Sequence, residues 1–139
     1  MNFDLPGMDT KTLSEEGVPM IVKKINSDMP LLDKNGDPVT ITVLGPDSIK
    51  YRSLSRAQVR KRVQRAAAGN MEVNFEEDEG DALDILVACT IAWTGVNTPA
   101  GDAIPCTPEA VRNLYTVYPV IRDQVDLFSA QRVNFTKAS

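Results

Sequence analysis

The residues that most constrain the fold are 82–93, ALDILVACTIAW, of which ten in twelve are apolar. A helix that is apolar on nearly all sides lies in a protein core or in a membrane. These twelve residues would span roughly 18 Å as a helix. That is too short to cross a bilayer, which requires about 20 apolar residues. The stretch therefore predicts a central core helix, with Leu83, Leu86 and Trp93 among its core side chains.

The remaining segments predict an α+β fold in which helices dominate. Residues 1–17 have no clear period and contain proline and glycine breaks, which predicts a flexible arm. Residues 18–45 contain two strand-like runs on either side of an Asn-Gly turn, which predicts a small antiparallel β-hairpin. The single predicted domain, residues 18–139, continues with a basic helix at 48–68, an acidic lead-in and the core helix at 75–93, and C-terminal helices at 107–135. About four helices are thus expected to pack on the apolar stretch 82–93.

The composition excludes several kinds of function. The chain has no histidine, so it has neither an imidazole base for a nucleophile nor an imidazole metal ligand. Its net charge of −4 disfavours nucleic acid and anionic membranes as partners. It contains no apolar run of membrane length and no signal-peptide pattern at its start, so we expect a protein of a cytoplasm. Cys89 and Cys106 are too few and too far apart for a disulfide framework and are expected to be free thiols.

Two opposed blocks of charge are the most conspicuous polar feature. Seven basic residues between 50 and 65 are followed by seven acidic residues between 72 and 84. Arg52, Arg56 and Arg60 recur every four residues, so they share one helix face and could follow a phosphate backbone. The alternative is a solvated face that the acidic block neutralises within the fold or on a neighbouring subunit. We favour this alternative because the acidic block would repel a polyanion.

Neither the acidic block nor the thiols predict a reactive site. The run EEDEGDALD matches a calcium-binding loop only in its glycine, and acidic residues at a helix N-terminus are explained by the helix dipole. No phosphate-binding loop or dinucleotide fingerprint is present, and the cysteines lack a base. The sequence therefore predicts a protein that is not an enzyme and binds no metal or cofactor.

Aromatic residues are concentrated in the last third of the chain, at Trp93, Tyr115, Tyr118, Phe128 and Phe135. Core packing is the simplest role for Trp93, Tyr115 and Phe128. The C-terminal helices nevertheless have more apolar groups than one buried stripe should need. We therefore name Tyr115, Tyr118, Phe128 and Phe135 as candidates for contact with a partner, with Tyr118 and Phe135 the better placed.

The C-terminal half contains three characteristic segments, AWTGV, AGDAIPCTPEAV and NLYTVYPVIRDQVDLFSAQRVNF. Through them the chain resembles, over about 100 residues, the tail assembly chaperone-like proteins of long-tailed bacteriophages. The matching positions are Trp93, Gly95, Thr107, Glu109, Leu114 and Tyr115 before Pro119, Ile121, Val125, Arg132, Asn134 and Phe135. The turn LLDKNGDPV and the strand ITVLG match more loosely.

The resemblance implies a role in tail assembly without catalysis. It implies binding to the tape-measure protein, and to tail tube subunits as a further partner, in the host cytoplasm, with the protein absent from the mature virion. The unprotected hairpin edges and the charge blocks also predict self-association. Two alternatives remain open: a virion structural component, such as a minor tail or head-tail joining protein, and a nucleic-acid-binding protein that uses the arginine helix.

Overall fold

The computed structural model describes residues 3–72 and 74–137. They form an α+β domain in which five α-helices accompany one three-stranded antiparallel sheet. In chain order the elements are α1 (Lys11–Glu16), β1 (Val18–Ile21), β2 (Thr40–Val43), α2 (Ile49–Ala67), α3 (Phe75–Cys89), β3 (Thr90–Thr94), α4 (Pro108–Val117), α5 (Pro119–Ala130) and a C-terminal 3₁₀ helix (Arg132–Phe135). The helices α2, α3 and α4 begin at hydroxyl or amide caps supplied by Ser48, Asn74 and Thr107.

The sheet differs from the predicted two-stranded hairpin at 18–45. β1 and β2 do pair antiparallel, with Val18 opposite Val43, but β2 is the central strand. Its other neighbour is β3, which begins almost fifty residues later in the chain. The connection from β1 to β2 is a long loop with isolated bridges, in which Gly36 supplies the positive φ of the Asn-Gly turn.

The prediction of one core helix over residues 82–93 is wrong. Helix α3 ends at Cys89, and the next five residues form β3. Thr90, Ile91 and Trp93 have β-branched or aromatic side chains that favour a strand, and pairing with β2 places Trp93 opposite Ile41. A short apolar run fits a buried helix and a strand equally well, so composition alone did not reveal the change.

The core lies between the inner face of the sheet and the helices. Met20, Val22, Ile41 and Val43 contribute the sheet side, and α3, α4, α5 and the 3₁₀ helix contribute the other. From the helices come Leu86, Val87, Val111, Tyr115, Val125 and Phe135. The phenol of Tyr115 lies 2.6 Å from the hydroxyl of Thr90, so its polar atom is satisfied inside the core, and burial raises the pKa of Tyr115 to about 12.

Helix α1 lies within the predicted arm, residues 1–17, and contacts the C-terminal 3₁₀ helix. Ser14 in this helix is fully buried, and its carbonyl accepts a hydrogen bond from the N–H of Gly45 at 3.0 Å. A Cβ added to Gly45 would clash with the Ser14 hydroxyl and would lie 2.7 Å from the Phe135 ring. Helix α1 and the C-terminal 3₁₀ helix therefore both pack against Gly45, where a larger residue does not fit.

Replacing Gly45 with alanine should lower the free energy of unfolding by about 2–3 kcal/mol, because the new methyl group must displace buried atoms on both sides. Gly80→Ala is the matched control: Gly80 lies in α3 with open space around it, so alanine should stabilise the protein by about 0.5–1 kcal/mol through helix propensity. Urea unfolding of both variants checks this. Equal stability of the two variants would contradict the packing at Gly45.

Candidate binding surfaces

The four aromatic candidates do not form one surface patch. Tyr115 and Phe135 are fully buried, and Phe128 is half-buried, with its ring edge-to-face against Phe135 at a centroid distance of 5.8 Å. Only Tyr118 is exposed, to 53%. The core packing expected for Tyr115 is confirmed, whereas the prediction that Phe135 and Tyr115 contact a partner is wrong, because both side chains fill the core between the sheet and the C-terminal helices.

The three predicted core residues are buried to different extents. Leu86 is buried, whereas Leu83 and Trp93 are partly buried and pack against the core from its edge. The indole Nε1 of Trp93 donates a hydrogen bond of 2.7 Å to the carbonyl oxygen of Ile104. This hydrogen bond connects β3 to the loop that follows it. Trp93 therefore lies at the edge of the core and not at the centre of a helix bundle.

The acidic block neutralises the second half of the basic helix within the same chain. Lys61 lies 2.8 Å from Glu77, Arg62 lies 3.5 Å from Asp78, and Arg65 also pairs with Glu77. The amide of Gln58 donates to the backbone carbonyl oxygen of Asp81 at 2.7 Å. These contacts join α2 to α3. They support the interpretation that the acidic block neutralises basic residues of α2 within the same fold.

The three arginines singled out from the sequence have separate environments. Arg52 pairs with Asp47 at 2.7 Å. Within the described part of the chain, neither Arg56 nor Arg60 forms an ion pair. Arg52 and Arg56 line a groove, whereas Arg60 does not. The three arginines are evenly spaced along α2, but they therefore do not form one shared binding surface.

Asp47 is a buried carboxylate that joins three distant parts of the chain. Its Oδ2 accepts hydrogen bonds from the Thr10 hydroxyl at 2.5 Å and from Nε of Arg132 at 2.9 Å. Its Oδ1 accepts from Nη2 of Arg52 at 2.7 Å and from Nη2 of Arg132 at 3.1 Å. Hydrogen bonds from Arg132, Thr10 and Arg52 hold the pKa of Asp47 well below its ordinary value. From the sequence, only the start of the basic helix at residue 48 is expected next to this position.

A groove of about 870 Å³ opens beside Asp47. Its walls come from residues 7–11, the first turns of α2 and the C-terminal 3₁₀ helix. Lys11, Arg52, Arg56 and Arg132 supply positive charge, and Asp9 and Asp47 supply negative charge. The groove is therefore cationic overall, in a chain whose net charge is −4.

The outer face of the sheet is a second accessible surface. Pro19, Ile21, Thr40, Thr42, Ile91, Ala92 and Thr94 form it, as the strand register and the β-bulge at Thr42 require. Ile21 is 50% exposed and Ile91 44%. No residue of the three described strands carries a charge. This surface was missed in the sequence because β3 was assigned to a helix.

The described residues contain no cluster of three or more potential metal ligands and no helix long and apolar enough to cross a membrane. Both cysteines are free, and burial raises the pKa of Cys89 to about 11, which disfavours a reactive thiolate. Comparisons with protein families, with curated proteins and with solved structures find no significant match.

Replacing Asp47 with asparagine should lower the free energy of unfolding by about 2 kcal/mol at pH 7, because Arg52, Arg132 and Thr10 lose an anionic acceptor. The native pKa of Asp47 is lowered, so its stabilisation is complete above the unfolded-state pKa of about 3.9 and is lost as pH falls below it. The stability difference between wild type and variant should therefore shrink by about 1 kcal/mol at pH 3. Urea unfolding at both pH values measures it.

The exposed Asp28 provides the control, since Asp28→Asn removes the same charge from a loop residue. That variant should match the wild type at pH 7. A stability difference for Asp47→Asn that is the same at pH 7 and pH 3 would contradict the assignment of a native ion-pair network to this carboxylate.

Proposed function

We propose that the protein is a non-catalytic tail assembly chaperone of a long-tailed bacteriophage, which binds the tape-measure protein in the host cytoplasm before tails are complete. The observation that carries the proposal is the uncharged outer face of the sheet, which is open in the described chain. The sequence resemblance supplies the identity of the partner.

An uncharged, open sheet face supports a role in binding another protein. Antiparallel sheets that face water on one side ordinarily alternate apolar inward residues with polar outward ones. Here the outward side carries Ile21, Ile91 and Ala92 beside threonines. A partner that covers this face removes apolar surface from water, at roughly 25 cal/mol for each Å² buried.

The edge strand β3 supports the same role. Proteins commonly protect sheet edges with charged residues, especially lysine, or with proline. β1 has Pro19, but TIAWT in β3 has neither a proline nor a charge, and β3 pairs with β2 on one side only. The same unguarded edge would let two copies of the chain pair when no partner is present.

A helix is the occupant that the architecture favours. Among the described residues, the helices that contribute to the core pack on the inner face of the sheet, and a helix placed on the outer face would complete a three-layer arrangement of helix, sheet and helix. A long tape-measure chain that has not yet assembled would expose apolar helix faces of this kind. An apolar stripe of such a helix would pack on Ile21, Ile91 and Ala92. Tail tube subunits remain a further candidate partner.

Coexpression with the cognate tape-measure protein tests the proposal. Wild-type protein should raise the soluble fraction of the tape-measure protein and copurify with it. Ile21→Lys should weaken the complex by about tenfold or more, because a charge would be placed in an apolar contact. Leu127→Lys is the matched control, since Leu127 is also an exposed apolar residue, at 65%, but lies on α5 away from the sheet face.

The outcomes test the chaperone role and the sheet face as the binding surface separately. If the tape-measure protein is no more soluble with this protein than without it, and no complex is purified, the chaperone role fails. Detection of the protein in purified particles would then favour a virion structural component. If Leu127→Lys disrupts the complex and Ile21→Lys does not, the sheet face is the wrong surface.

A further inference from the structure

The groove beside Asp47 holds two guanidinium groups in a fixed pair. Nη2 of Arg52 and Nη2 of Arg132 both donate to Oδ1 of Asp47, at 2.7 and 3.1 Å. Both side chains are also about half exposed or more, so each guanidinium has further N–H donors that face solvent. The buried carboxylate of Asp47 therefore holds two guanidinium groups at the groove and accepts hydrogen bonds from only some of their N–H donors.

The positive charge of this pair is not fully neutralised. One carboxylate is shared by two guanidiniums, and Arg56, one helical turn beyond Arg52, forms no ion pair among the described residues. Lys11 adds a further cation to the same groove. An anionic group bound between Arg52 and Arg56 would make charge-assisted hydrogen bonds, which are roughly twice as strong as neutral ones.

The rest of the groove wall favours a peptide over a nucleic acid. Met8, Ile49 and Val133 line it with exposed aliphatic side chains. None of the described lining residues is aromatic, whereas single-stranded nucleic acid commonly stacks its bases on aromatic rings. The volume also lies within the range of about 300–1,000 Å³ that is usual for ligand sites.

We infer that this groove is a docking site for an acidic peptide segment of a partner protein. A glutamate or aspartate side chain of the segment binds between Arg52 and Arg56, and a neighbouring apolar side chain packs on Ile49 and Val133. Asp47 is a positioning residue in this site, because it holds Arg52 and Arg132 in place. The groove is a different surface from the outer sheet face, so either site can fail while the other stands.

Fluorescence anisotropy with a short labelled peptide of Leu-Glu-Glu-Leu repeats tests the inference, with a second peptide in which glutamine replaces each glutamate. The wild type should bind the glutamate peptide at least about tenfold more tightly than the glutamine peptide, and added salt should weaken the binding. Arg56→Gln should weaken binding of the glutamate peptide by about fivefold to tenfold, which corresponds to the loss of one exposed charge-assisted contact.

Arg60→Gln is the matched control. Arg60 lies one turn further along the same helix, also forms no ion pair among the described residues, and does not line the groove. It should change the affinity by about twofold or less, because long-range charge effects are screened. Both variants should unfold at the wild-type temperature, since both side chains are exposed and neither forms an ion pair among the described residues.

Several results would overturn the inference. Equal binding of the two peptides would exclude recognition of a carboxylate, and equal losses in Arg56→Gln and Arg60→Gln would exclude the groove. Absence of binding to the glutamate peptide would exclude the site altogether. Displacement of the peptide by a single-stranded oligonucleotide at a lower concentration than by unlabelled peptide would assign the groove to nucleic acid.

Discussion

The pairing of β3 with β2 is the interaction on which the rest of the structure depends. It makes β2 a central strand, places Trp93 opposite Ile41, and brings Thr90 to the phenol of Tyr115 in α4. Because β3 follows α3 directly, the same pairing fixes where α3 lies, and α2 is then joined to α3 by ion pairs. The bulge in this pairing also places Ile91 and Ala92 on the outer face, so one strand pairing organises the core and the proposed binding surface together.

The chain keeps its two kinds of accessible surface apart. The sheet strands carry no charge, whereas the groove beside Asp47 concentrates Lys11, Arg52, Arg56 and Arg132. Apolar contact supplies affinity over a broad area, and charge supplies register and a faster approach of the partner. Asp47 contributes both to the groove and to the stability of the fold. Its hydrogen bonds orient the arginines and also hold residues 10 and 132 against the start of α2.

The sequence was sufficient for the α+β class and for the direct pairing of the two N-terminal strands, because alternation and turn residues report local structure. It also indicated free cysteines and an acidic segment that neutralises the basic helix. It failed at 82–93, where β-branched residues after Cys89 leave the helix for a pairing with a strand far away in sequence. The core packing expected for Tyr115 is confirmed, but its parallel naming as a partner contact, like that of Phe135, is wrong, since periodicity identifies apolar positions but not which of them another element covers. The Asp47–Arg132 pair spans most of the chain, and no local pattern predicts such a contact.

Hydrogen exchange of this protein, alone and in complex with the tape-measure protein, would test the central claim most directly. Backbone amides at a sheet edge exchange through local opening, and a bound partner suppresses that opening. The proposed binding mode predicts slower exchange in β1 and β3 in the complex, with unchanged exchange at the corner between α4 and α5. Slower exchange confined to that corner, around the exposed Tyr118, would contradict the claim that the open sheet face is the binding surface.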